Sequence, residues 1–101
     1  MSLVVSDDGG SVTITDAALS QIVVQAAEAV EGARVRGRRR HVEVAIADGH
    51  ASVELELAIA YGRVLPDVAR GVQQRIADAL TRMCGLEVDA VDVAIEELDR
   101  S

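Results

Sequence analysis

The sequence predicts an α+β domain of order β-α-β-β-α-β, with two helices packed on one face of a four-stranded sheet: a ferredoxin-like plait or close variant. Three observations lead there. Two segments repeat apolar residues at helical spacing, four others alternate apolar and polar residues, and the two central alternating segments meet at Asp48-Gly49, a favoured hairpin turn pair. A chain of 101 residues holds one such domain.

Residues 1–9 read as a flexible lead, closing on Ser6-Asp7-Asp8-Gly9-Gly10. The domain is placed at 10–99. Val12 and Ile14 alternate with polar neighbours as a first short strand. Thr15 or Asp16 then offers an oxygen to the open amides of a helix start. Leu19, Ile22, Val23, Ala26 and Val30 form the buried stripe of that helix, and Gly32 is its expected stop.

The two central strands fix their own register. A two-residue loop at Asp48-Gly49 sets Ala47 opposite His50, Val44 opposite Val53 and Val42 opposite Leu55, so that apolar residues meet on one face. A loop one residue longer sets Val44 against Glu54 and scrambles both faces. After Tyr61-Gly62, Pro66 falls where the first helical turn tolerates a missing amide. Leu65, Val68, Val72, Ile76, Leu80 and Met83 make the second stripe, Gly85 stops it, and Val91, Val93 and Ile95 alternate in a last strand.

Composition narrows the function. Half of the residues are apolar, but Phe and Trp are absent and Tyr61 is the one aromatic residue, too few rings for a base-stacking platform or a cation cage. The net charge of −7 lacks the basic excess of a general nucleic-acid binder. Cys84 is alone, so no intrachain disulfide forms. Neither a secretory leader nor a run of membrane-spanning length is visible, and a cytoplasmic protein is expected.

The charge is segregated. Arg34, Arg36, Arg38, Arg39 and Arg40 are five of the ten basic residues, so the rest of the chain carries −12 (−7 minus 5). In the hairpin register Glu43 lies opposite Glu54, with Glu56 diagonal to them and opposite His41. Like charges facing across strands cost up to about 1 kcal/mol. Both features have a plain reading, a solvated face and a solvated loop. Their functional readings are a docking surface for a protein partner, phosphate contacts by the arginines, and acid/base chemistry at the carboxylate pair. The inventory is otherwise empty of chemistry. His41 and His50 stand far apart along the hairpin with no second ligand at zinc spacing, and Cys84 reads as a small apolar residue beside Met83. Tyr61 reads as a packed ring with its hydroxyl at the rim, and Gly62 as a turn of positive φ. No catalytic residue, cofactor site or metal site is predicted.

Gly10-x-Val12-x-Ile14-Thr15 leads into Ala18-Leu19-x-x-Ile22 and Ala26-Ala27-x-x-Val30-x-Gly32. Ala60-Tyr61-Gly62 is followed by Leu65-Pro66-x-Val68-Ala69-x-x-Val72-Gln73, then Met83-x-Gly85-Leu86-x-Val88, and Val91-Asp92-Val93-x-Ile95 closes the pattern. Across about residues 10–98 the chain resembles the alkaline shock protein (Gls-type) family of envelope stress response proteins of Gram-positive bacteria. The resemblance implies a cytoplasmic, non-enzymatic protein of cell-envelope homeostasis, which self-associates or is held beneath the membrane by a membrane-anchored relative. Two departures stand out: Ala33 follows Gly32 where many relatives have Val, and the segment after it is unusually rich in Arg. The expected interaction surface is therefore Arg34, Arg36, Arg38, Arg39 and Arg40 together with Glu43, Glu54 and Glu56. A small nucleic-acid-binding regulator using the Arg34–Arg40 segment is the alternative.

Overall fold

The computed structural model describes residues 3–7, 10–35 and 42–99. The elements are β1 (Leu3–Asp7), β2 (Gly10–Ile14), α1 (Asp16–Glu28), β3 (Ala33–Val35), β4 (Val42–Ala47), β5 (His50–Ala60), α2 (Leu65–Cys84) and β6 (Glu87–Asp99). Arg36, Arg38, Arg39, Arg40 and His41 lie outside the described residues.

β5 is the spine of a four-stranded sheet. Its first half pairs antiparallel with β4 and residues Leu57–Ile59 pair antiparallel with β3, so β3 and β4 share one edge of it. β6 runs parallel along the other edge for the whole length of β5. The hairpin register is the expected one, including Glu43 opposite Glu54. Its turn explains why: Asp48 (φ 53°) and Gly49 (φ 78°) both take the positive φ that a type I′ turn requires.

The α+β class and its layering are as the sequence predicts. Strand pairing differs in two places. Residues 11–14 leave the sheet and pair with β1 in a separate two-stranded ribbon, from Leu3 opposite Ile14 to Asp7 opposite Gly10. The lead expected to be a flexible tail is thus a strand from Leu3 to Asp7. The sequence held the signal for it, since the two residues between the paired segments are Asp8-Gly9, the same dipeptide that turns the central hairpin. The fourth strand of the sheet is instead β3, at the start of the arginine-rich stretch, on the same edge of β5 as β4, while β5 and β6 pair directly. Its strand geometry comes from tertiary contacts: Ala60 donates its amide to the Gly32 carbonyl at 2.8 Å, and the Glu28 carboxylate accepts the Val35 amide at 3.1 Å.

Both helices lie over the inward face. α1 begins where Thr15 Oγ1 accepts the Ala18 amide at 3.2 Å and buries Leu19, Val23, Val24 and Ala27. It ends at Glu28, and Gly32 (φ 90°) serves the following turn rather than the helix stop. α2 carries Pro66 in its first turn and ends on Gly85 (φ 68°), a left-handed position that a residue without Cβ takes at no steric cost. Its buried stripe is Val68, Val72, Ile76, Leu80 and Cys84, five residues four apart. That spacing carries the stripe to Cys84 instead of Met83, which is exposed. These faces close on Ala51, Val53, Leu55, Leu57 and Ile59 of β5. Each fully buried Leu, Ile or Val contributes about 1.5–3 kcal/mol.

Candidate interaction surface

Strand alternation turns the other residues of the sheet outward. On β5 these are Ser52, Glu54, Glu56 and Ala58; on β4, Glu43, Ala45 and Ala47; on β3, Arg34; on β6, Asp92 and Ala94. Glu54 faces Glu43 on one side and Asp92 on the other, so three exposed carboxylates run across three adjacent strands. An open hollow of about 490 Å³ follows this row from Asp92 and Glu54 past Glu43 to Asp16 at the start of α1. Among the described residues lining it there are four carboxylates and no base. A second hollow of about 420 Å³ lies along Glu43, Glu54, Glu56 and Asp92.

The expected site residues divide accordingly. Arg34, Glu43, Glu54 and Glu56 share the outward face, with Arg34 opposite Ala58 and hence diagonal to Glu56. Asp92 and Asp16 are the members that sequence reasoning missed. Asp16 reaches the site through the packing of α1 beside β4, which no local pattern encodes. The bounds of the arginine segment are nevertheless fixed. Val35 stands opposite Leu57 and Val42 opposite Leu55, so the described residues that flank the segment pair with β5 on either side of Glu56.

At the end of the sheet His50 Nδ1 lies 2.9 Å from Asp89 Oδ1, and its Nε2 lies 3.8 Å from Glu87 Oε2. The hydrogen bond to Asp89, then that charge, with Glu87 and Asp48 adding to them, holds the imidazole above its ordinary pKa of 6.5. Burial pushes the Cys84 thiol up, opposite to what a reactive thiolate needs. Tyr61, expected to pack its ring, is 65% exposed, because it sits in the turn after β5 rather than on an inward position. No group of three or more His, Cys, Asp or Glu among the described residues has an arrangement that could hold a metal ion.

These features define a two-layer α+β domain whose distinctive surface is a charged sheet face. The family to which such a chain belongs is shown by comparison: the model of the alkaline shock protein 23 family, described by a cell envelope-related function, matches residues 5–100. The chain is a member of that family, and its role is related to the cell envelope. No curated protein matches it. Solved structures of MamM CTD share the fold. A histidine-to-alanine variant is 18% identical with a TM-score of 0.55, covering 82% of this chain and 98% of that one. The manganese form of a Glu-to-Asp variant is 17% identical (TM-score 0.54; 82% and 99%). The copper form of an Asp-to-His variant is 18% identical (TM-score 0.54; 82% and 98%).

Proposed function

We propose that the chain is a non-catalytic assembly module of the envelope stress response, which self-associates and binds a membrane-anchored protein of its own family. One observation carries the reading: Glu43, Glu54 and Asp92 stand in a row on an open face, and no described strand neighbour neutralises them. Each facing pair costs up to about 1 kcal/mol. A cationic partner surface removes that cost, and the Arg34–Arg40 segment of another copy carries the matching charge. Family membership supports the cell-envelope setting. No helix of the described residues is long and apolar enough to cross a membrane. In this reading the partner recruits the chain to the inner face of the membrane.

The test is light scattering across salt concentration, with Arg38, Arg39 and Arg40 changed to Ala and, separately, with Glu54→Gln. Charge docking predicts self-association that weakens with salt, over the range in which the screening length falls from about 10 Å to about 3 Å. It also predicts that both variants weaken it. Self-association indifferent to salt and to both variants ends the charge-docking reading.

A further inference from the structure

The second surface is the unpaired edge of β6. This strand runs thirteen residues and pairs only with β5 among the described residues. Three observations bear on what it accepts. The first is the direction of its open backbone groups. Gln73 Nε2 of α2 donates to the Val91 carbonyl at 2.9 Å, so that carbonyl points away from β5. Strand alternation then turns the amides and carbonyls of Val93 and Ile95 the same way.

The second is the cover over the strand. The inward residues of β5 are fully buried, whereas Val88, Val91, Val93 and Ile95, the inward residues of β6, are only half-buried. A strand laid along this edge would complete their cover. The third is charge. The sequence of β6 holds six acids and no base. Pairing β6 with the β6 of a second copy would bring twelve like charges together (six on each), which disfavours that occupant. Long open edges are usually guarded, and here the guard against self-pairing is also the selector.

We infer that the β6 edge is a strand-addition site for an extended, basic segment of a partner protein. The incoming main chain bonds the Val93 and Ile95 backbone and replaces Gln73 at Val91, while its Arg or Lys side chains match the acidic composition of the β6 sequence. The inference goes beyond charge docking of the arginine segment, because it needs main-chain hydrogen bonds at a different edge.

The probes are a peptide of alternating Arg and Val, the same peptide N-methylated at every second amide, and an alternating Glu and Val peptide. Affinity and amide hydrogen exchange are the readouts. The expected result is binding of the Arg peptide with exchange protection at Val93 and Ile95, and binding roughly tenfold or more weaker after N-methylation, which keeps the charge but removes donors. The variant with Arg38, Arg39 and Arg40 changed to Ala binds the peptide unchanged, so this outcome is separable from that of the self-association test. Equal binding of the N-methylated or the Glu peptide overturns the inference. So does absence of protection at Val93 and Ile95. Protection of those amides in the protein alone at high concentration identifies a second copy as the occupant, and likewise overturns it.

Discussion

Asp92 of β6 stands directly opposite Glu54 of β5, on the side away from Glu43. Glu54 is therefore the middle charge of three, and its neutralisation relieves two facing pairs where loss of either neighbour relieves one. Glu54→Gln is expected to stabilise the isolated fold, by up to about 1 kcal/mol for each pair. Urea denaturation checks this at low and at high salt. The gain should be largest at low salt and shrink as exposed charges are screened. The same change weakens self-association if the carboxylate row is a docking face. Destabilisation by Glu54→Gln at low salt would contradict the repulsive row.

The two neighbours of Glu54 differ in how far the sequence reveals them. Glu43 is legible because Asp48-Gly49 permits one loop length, and that length places every residue of β4 against one of β5. Asp92 is not. β5 and β6 are parallel and joined through α2, so no turn sets their register. An irregularity between Ala51 and Ser52, where Val88 and Ala90 are their successive partners, shifts the count further. β3 was hidden for another reason. Ala33–Val35 is short and runs into arginines, and its strand state rests on Glu28 and Ala60, partners that local pattern cannot name.

Gly32 and Arg63 join the two turns at the opposite end of the sheet. A Cβ at Gly32 would stand 3.1 Å from Cγ of Arg63, whose guanidinium bonds Glu31 at 2.7 Å. Gly32 also holds φ 90°, where L side chains are strained. Gly32→Ala is expected to cost about 1–3 kcal/mol, mostly through the backbone. Thermal unfolding of the single variant and of Gly32→Ala with Arg63→Ala separates the causes. The double variant should recover only the part due to side-chain crowding, and full recovery would remove the backbone explanation.

His50 and Asp89 make a pH-dependent tie between the hairpin and β6. The folded imidazole binds its proton more tightly than the unfolded one, whose ordinary value is 6.5. The contribution to stability is thus complete below that value and is lost as pH rises through the higher, folded pKa. Denaturation midpoints should fall over this window in the native chain, and the slope should flatten in Asp89→Asn. An NMR titration of His50 adds a direct reading, in which the imidazole titrates above its ordinary value and returns toward it in the variant. An unchanged titration in Asp89→Asn would remove Asp89 as the cause.

Cys84 closes the buried stripe of α2, one turn beyond Leu80, and burial holds its thiol protonated. Thiolate is the reactive form, so a buried thiol of raised pKa reacts at the rate of local or global opening. Alkylation of the native protein is expected to be slow and to accelerate sharply at the denaturant midpoint. Cys84→Ala removes a small apolar group and is expected to cost less than Cys84→Ser, which buries a hydroxyl at about 1–3 kcal/mol unless it finds a partner. Thr81, on the same last turn, already donates its hydroxyl to the Leu86 carbonyl at 2.9 Å. A serine at position 84 would have to find another acceptor. Rapid alkylation under native conditions, or a Ser variant as stable as the Ala variant, would show that the end of α2 opens to solvent.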